Sequence, residues 1–448
     1  VSAAIPDIHD LFATLAEHEG KFNRSFSLVP SENLISPLTR AAFLSDSFSR
    51  YFFDEHEVFG RWNFQGGSIV GRIQKEIVTP LLRDLGRAAH VNLHAISGLS
   101  GMTLALAAYG GDPGNRVVTV AVANGGHPDT SYVAQKLGYV PLDLPFGDYD
   151  EIDLDALAEL VRTRRPSLVY IDHATALRPL PLHDLVTTVR EAQTEPVHVH
   201  IDSSHVNGLV WGGQLTNPLA AGADTYGGST HKTFPGPHKA VLFTDSEDTA
   251  LRLTLTGVNM ISHHHPASVV ALGISLLEFA HRGGREYAAR TIANARAFAA
   301  ALAARGLAVQ GRPDEGYTRT HQVWVKAPPE VNPYEVCERL FAAGLIVNPY
   351  NLLPSLGGPG IRMGVNEATK LGLVEDDMER LAETFAAVVL RGEPPEALAG
   401  EVAEFRAGFT PSFCYRDDEM RVAWKRFADT LSDDRSQYVG GSVHDARS

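Results

Sequence analysis

Between Val91 and Phe243, short β-branched runs (VVTVAVA, LVYID, VHVHID, AVLF) alternate with helical stretches such as Asp153 to Arg164. That alternation constrains the fold more than any other feature of the chain. It predicts an α/β architecture in which a mainly parallel sheet is covered by helices.

The flanks extend this plan. Ile73 to Gly86 has helical periodicity and connects an N-terminal arm to the sheet. Ala267 to Arg305 reads as one long, Ala-rich helical region with a Gly-Gly interruption at 283 and 284. Gly306 to Arg391 then runs strand (HQVWVKA), helix (PYEVCERLFAAG), strand (LIVN), strand (IRMGV), helix (DDMERLAETFAAVVL), the pattern of a small α+β domain. Past Glu393 come GEPPEA, a charged amphipathic stretch and a polar end, QYVGGSVHDARS, expected to fray. The expected domains are an N-terminal arm at 1–40, a large domain at 41–275, a small C-terminal domain at 276–395 and an extension at 396–448. A length of 448 residues accommodates this at ~100 to 200 residues per domain.

Composition narrows the function classes. With 44% hydrophobic and 21% charged residues, the chain can offset its conformational entropy by burial, which excludes bulk disorder. Its 39 basic and 53 acidic residues give −14 with no basic stripe, against general nucleic-acid binding. The longest apolar stretches, such as Ala267 to Phe279, are too short for a bilayer, and VSAAIPDIHDLF lacks a basic region followed by an apolar run. Cys337 and Cys414, far apart, fit neither a disulfide framework nor a four-ligand zinc site. A soluble, uncleaved, cytoplasmic chain is expected.

The chemistry-bearing residues concentrate in GGSTHKTFPGPHK, from Gly227 to Lys239. About 30 residues earlier, VHVHIDSSHVNGL ends a predicted strand with Asp202 and His205, at the sheet edge where α/β ligands sit. HAISGLSGMTLALAAYGG places Ser97, Gly98 and Ser100 before a helix, where hydroxyl and backbone N–H donors meet a dipole that favours phosphate. A lysine for a Schiff base, an acid for a pyridine nitrogen and an anion-binding turn are the parts a pyridoxal phosphate site needs. Each part alone is weak: a lysine among small residues reads equally as a surface side chain, and a Ser-Gly turn as only a turn.

Five stretches occur in order between Leu28 and Val389: LVPSENLISP, the NGGH at Asn124 to His127, DSSHVNGLVWGG, STHKTFPGP and GIRMGV. In them the chain resembles the serine hydroxymethyltransferases and their relatives among the fold-type I, aspartate aminotransferase-like pyridoxal phosphate enzymes. The resemblance implies that Lys232 carries the cofactor, with Ser229, Thr230 and His231 of the same run beside it. It implies that Asp202 pairs with the pyridine nitrogen, that His205 lies near the phenolic oxygen, and that His127 stacks on the ring. Arg362 and Ser31 would hold the substrate carboxylate. Tyr51 and Glu57 lie in a segment the family passes between subunits, so a homodimer or dimer of dimers follows, with Tyr51 at the neighbour's phosphate and Glu57 handling protons at the substrate hydroxyl.

The match departs at two places from the name-giving enzyme. Phe64 and Gln65 stand where the folate enzymes carry a tyrosine pair, and NPYNLLPSLGGPGIR is short for a pterin-side loop. EVFGRWNF, THQVWV and the region with SFCYRDDE are instead similar to the L-threonine transaldolase branch. That branch releases acetaldehyde from L-threonine and adds the glycyl carbanion to another aldehyde, so amino acids and aldehydes are the implied partners. Serine or α-methylserine hydroxymethyl transfer to tetrahydrofolate, threonine aldolase chemistry and a non-catalytic binding subunit are the alternatives. The triple histidine at His263 to His265 invites a metal reading, but adjacent histidines rarely converge on one ion. It reads better as a loop near the dimer interface, and no metal is expected.

Overall fold

The computed structural model describes residues 7–53, 55–147, 151–327, 331–353 and 358–430. Twelve strands occur among them, and β1 (Phe26–Ser27) stands in the N-terminal segment. The next seven build one sheet: β2 (His90–Asn92), β3 (Arg116–Thr119), β4 (Val140–Asp143), β5 (Leu168–Ile171), β6 (His198–Asp202), β7 (Thr225–Ser229) and β8 (Ala240–Thr244). Their spatial order is β2-β8-β7-β6-β5-β3-β4. Pairing is parallel from β4 through β3, β5 and β6 to β7, and antiparallel where β8 joins β7 and β2 joins β8.

The predicted mainly parallel sheet is therefore present, and the β-branched content of its strands has a direct cause. Helices cover both faces, so Leu168, Val169, Tyr170 and Ile171 of β5 are all buried, with no polar alternation. VVTVAVA does not remain strand to its end. Its β structure stops at Thr119, and Val122–Asn124 form a 3₁₀ turn leading into NGGH. β2, β4 and β7 carry weaker signals, since VPLD and TYGGS contain the proline and glycines that strand propensity disfavours.

A second core follows the helices Pro266–His281 and Gly284–Ala304, which the Gly-Gly interruption separates as expected. Here β9 (Gln322–Lys326), β10 (Leu345–Ile346), β11 (Asn348–Leu353) and β12 (Gly358–Gly364) complete the strand set. The sheet order is β11-β12-β9, all antiparallel. LIVN, predicted as one strand, divides: Leu345 and Ile346 pair in parallel with Phe26 and Ser27, and β11 begins at Asn348. The N-terminal segment is thereby stitched into the second core, where Phe26 and Leu28 are fully buried.

The C-terminal extension forms helices Pro395–Ala407 and Asp417–Ala428, and the segment between them returns to the rest of the chain. Ser412 N donates to Lys370 O at 2.7 Å, and Lys370 Nζ donates to Phe413 O at 2.9 Å. Arg282 pairs with Glu419 at 3.0 Å and lies 4.4 Å over the Tyr415 ring. Burial pushes the Lys370 ammonium down, opposed by the nearby Glu278. The stretch QYVGGSVHDARS lies outside the described residues. Among those that are described, no helix is long and apolar enough to cross a membrane.

Candidate active site

The carboxyl ends of β5, β6 and β7 meet the start of helix Gly98–Tyr109 around a cavity of about 450 Å³. Ser97, Gly98, His127, Asp202, His205 and Lys232 line it, and Ser31, Ser229 and His231 also reach it. Residues spread over two hundred positions of sequence thus converge at the sheet edge, the usual ligand position in a parallel sheet.

Local geometry explains each placement. Ser97 caps the helix by accepting from Ser100 N at 3.1 Å, while Ser100 Oγ accepts from Ser97 N at 2.8 Å. A cap of this kind contributes ~1 kcal/mol and leaves the next N–H groups of the first turn directed outward. Ser100 accordingly belongs to the cap, and the anion-facing surface is formed by Ser97 and Gly98. Gly98 leaves room for Ser229: a Cβ there would lie 2.2 Å from Ser229 Oγ and push that hydroxyl aside. Gly228 has φ +141 and sits against Asp202, where a Cβ would come within 2.8 Å of Oδ1. Thr230 does not line the cavity. Its hydroxyl donates to Pro237 O at 2.6 Å and holds the lysine-bearing loop closed.

Asp202 ends β6 with both oxygens engaged, Oδ2 by Tyr170 OH and Oδ1 by Ser204 N, each at 2.8 Å. Lys232 is nearly buried at 9% exposure, and its backbone oxygen accepts from Asn33 Nδ2 at 2.5 Å. Burial lowers the Lys232 ammonium to about 8, and Arg362 adds to the fall while Asp202 opposes it. A neutral amine, the nucleophilic form, is thus accessible near physiological pH. His205 is held well below its ordinary value by burial first and by the Lys232 and Arg362 charges next, so its ring is neutral. His127 is lowered by the same two leading causes, and its Nδ1 accepts from Asp129 N at 3.2 Å.

Arg362, in the middle of β12, is buried with its guanidinium 4.6 Å over the Tyr350 ring. One terminal nitrogen donates to Thr175 Oγ1 at 3.2 Å, and Nε is buried without a partner. Burying a guanidinium with no carboxylate paired to it among the described residues is costly, so this one is poised for an anionic ligand.

Several contributors escaped the sequence analysis. Asp172, one residue past β5, accepts from Thr130 Oγ1 and from His127 N, the latter at 3.2 Å, and so seats the NGGH histidine. Its other oxygen is buried without a partner, and burial pushes its carboxyl well above the usual range. Asp172 ends a parallel strand just as Asp202 does, and that shared position was the available signal. Thr175 and Tyr350, which position Arg362, carried none.

Tyr51 does not line the Lys232 cavity of its own chain. Its hydroxyl meets Ser262 Oγ, and its ring lies 5.0 Å from His263 and 4.6 Å from Phe64 on an exposed aromatic surface. Glu57 falls in the short helix Glu55–Phe59, but its side chain lies outside the described residues. The three adjacent histidines diverge. His264 is fully buried with its ring 4.2 Å from His94, while His265 Nδ1 bonds Ser268 Oγ at 2.7 Å. Among the described residues no group of three His, Cys, Asp or Glu could hold a metal ion.

The residues present fit pyridoxal phosphate. A nearly buried lysine stands near a doubly hydrogen-bonded aspartate, a capped helix N-terminus faces the same cavity, Asp172 and His231 line it with unpartnered polar atoms, and buried Arg362 is near enough to Lys232 to lower its ammonium.

Comparison with known proteins agrees with this fit. The family model for serine hydroxymethyltransferase matches residues 6–385. An L-threonine:uridine-5'-aldehyde transaldolase from a Streptomyces species is 41% identical over 82% of this chain and 89% of its own. The serine hydroxymethyltransferase of Thermoplasma acidophilum is 32% identical over 89% of this chain and 94% of its own. Among solved structures, an L-threonine transaldolase from Pseudomonas fluorescens in its internal aldimine state superposes with a TM-score of 0.84 at 28% identity, covering 93% of this chain and 96% of that one.

Proposed function

We propose that this chain, which belongs to the serine hydroxymethyltransferase family of pyridoxal phosphate enzymes, is an L-threonine transaldolase with a nucleoside 5′-aldehyde as acceptor. It cleaves the Cα–Cβ bond of L-threonine, releases acetaldehyde and joins the glycyl fragment to the second aldehyde as a new β-hydroxy-α-amino acid. The observation that carries this choice is the 41% identity to a transaldolase named for L-threonine and uridine-5'-aldehyde, against 32% to the hydroxymethyltransferase. Phe64 and Gln65, in place of the folate enzymes' tyrosine pair, support it.

Pyridoxal phosphate, when bound, supplies an electron sink conjugated with the amino acid's Cα. Lys232 would hold it through Nζ, Asp202 would face its ring nitrogen, His205 its phenolic oxygen and His127 its ring. Ser97, Gly98 and Ser229 would take its phosphate, with Ser100 and Thr230 fixing their positions and His231 closing the wall. Arg362 binds the L-threonine carboxylate through the edge that carries its unpartnered Nε, in a fork that fixes rotation about the amino acid's N–Cα bond. Ser31 adds a hydroxyl to the same carboxylate. Glu57 takes the proton of the threonine β-hydroxyl as acetaldehyde leaves and returns one to the new hydroxyl as the acceptor adds. The burial around Lys232 and His205 limits the access of water to Cα.

In this reading the chain acts as a homodimer, since Tyr51 and Glu57 complete a neighbour's site. The domains run 1–40, 41–275, 276–395 and 396–448. The test is to incubate the purified holoenzyme with L-threonine and uridine-5′-aldehyde, without folate. Acetaldehyde and a new β-hydroxy amino acid should form together. The family-model match favours one second reading, serine hydroxymethyl transfer. Serine cleavage driven by tetrahydrofolate, with no aldehyde exchange from L-threonine, would establish that reading instead.

A further inference from the structure

On the other side of the Lys232 cavity wall lies a second cavity of about 390 Å³, at the seam between the two cores. Its size is within the ~300–1,000 Å³ of small-molecule sites. Asp202, His173 and Val206 line both cavities and form the partition. On the far side stand Ile292 and Arg296 of helix Gly284–Ala304, with Arg319 ahead of β9. Ile171 and Ile201, paired across β5 and β6, supply an apolar floor.

Apart from Asp202 in the partition, both of whose oxygens are already hydrogen-bonded, the Asp, Glu, Lys and Arg side chains lining this cavity are all arginines. Arg178, Arg296 and Arg319 all line it, whereas the chain as a whole carries −14. Arg178 is paired with Glu315 at 3.2 Å. Arg296 Nε donates to Thr318 O at 3.0 Å, which leaves its terminal nitrogens without an acidic partner among the described residues. The Arg319 guanidinium likewise has no carboxylate partner among them. A concave site with cationic donors over an apolar floor concentrates anions.

We propose that this cavity is a second ligand site, separate from that of Lys232, for a small anion with an apolar body. A carboxylate or phosphate sits on Arg296 and Arg319, and a ring or hydrocarbon lies over Ile171 and Ile201. Its occupant rests against the rear of Asp202 and His173 and does not displace the amino acid. The existence of the site is independent of the transaldolase reading; only the naming of L-threonine as the competitor rests on it, and glycine serves as a second.

The test uses the holoenzyme, in which bound cofactor fills the Ser97 cradle. Calorimetric titration with phenyl phosphate, and separately with 3-phenylpropionate, should show one molecule taken up per chain, equally with and without saturating L-threonine or glycine. Preference for one anion assigns the headgroup, and 3-phenylpropanol, the neutral analogue, should bind at least about tenfold more weakly. The double variant R296Q/R319Q should lose about tenfold or more in affinity for the anions while keeping its circular dichroism and visible cofactor band. Leu180→Trp, which fills the cavity, provides an independent variant and should abolish uptake. No saturable uptake of either anion, displacement by L-threonine or glycine, or undiminished affinity in a folded variant would each overturn the proposal.

Discussion

Lys232 and Tyr51 lie in surroundings built in opposite ways. Around Lys232, backbone and side chain of the same molecule supply the setting: Asn33 holds its carbonyl, Tyr170 and Ser204 hold Asp202, and Thr230 closes its loop. Tyr51 instead packs with Phe64 and His263 on a surface where Tyr51 is 38% and Phe64 44% exposed. The hydrogen bonds that fix the first region all lie within one chain. The second is an exposed aromatic surface of the composition found at interface centres. The contrast teaches that a residue the resemblance assigns to a site can lie apart from the cavity that the others line.

The sharpest way to break the comparison is to disable each region in turn. Lys232→Ala should lower aldehyde exchange by about a thousandfold or more, ~4 kcal/mol of transition-state stabilisation, and abolish the visible cofactor band without unfolding the chain. Tyr51→Ala should also impair activity, but a mixture of the two variants should regain part of it through hybrid dimers. No recovery after subunit exchange, confirmed by native mass spectrometry, would count against a shared site.

Next in size is Arg362→Lys. Replacing the fork by a point charge removes a charged hydrogen bond of ~1.5 to 3 kcal/mol. The KM for L-threonine should rise roughly tenfold to over a hundredfold, with cofactor affinity little changed; equal loss of both would place Arg362 in the cofactor's cradle. Gly98→Ala sharpens the cradle itself. The new Cβ, 2.2 Å from Ser229 Oγ, forces that hydroxyl aside, and equilibrium dialysis should show cofactor affinity falling about tenfold. An unaffected affinity would remove the Ser97–Ser229 surface from the phosphate site.

The smallest effect distinguishes the buried interior by pH. Burial is the first cause that lowers His200 to about 4, His321 to about 3 and His231 to about 3. The unfolded chain takes up these protons near 6.5 and the folded chain does not, so stability is retained above 6.5 and lost as pH falls towards 4. Each group costs up to ~1.4 kcal/mol per pH unit in that window. Thermal unfolding scans should show Tm falling from pH 6.5 to 5, and less steeply in His200→Gln, whose amide takes no proton. A Tm that stays level would locate the proton uptake elsewhere.

The same contrast governs what could be read from the sequence. Lys232, Asp202 and Ser97 were legible because each sits where a strand or turn ends, and such ends carry local signatures. The crossover helices and the Gly-Gly break before Gly284 were legible from periodicity. Thr175 and Tyr350 were not, because Thr175 lies in the loop after β5 and Tyr350 on β11, the strand beside Arg362's β12, and no spacing encodes that meeting. The turn at Val122–Asn124 was hidden by strand-favouring residues, where the path into NGGH overrides propensity. Tyr51 was assigned a role by likeness alone, and no local pattern says which site it serves.

The return of the C-terminal extension onto Lys370 also bears on how the chain is made. Lys370 is almost wholly buried, yet the carbonyl that accepts its proton belongs to Phe413, 43 positions further along. A ribosome adding ~5–20 residues per second therefore leaves this ammonium without that acceptor for several seconds after the second core's last strand has emerged. During that interval the charge must stay hydrated and the seam beside Glu278 cannot shut. The extension thus acts as a latch in time as well as in space, closing this seam only after Phe413 has been made.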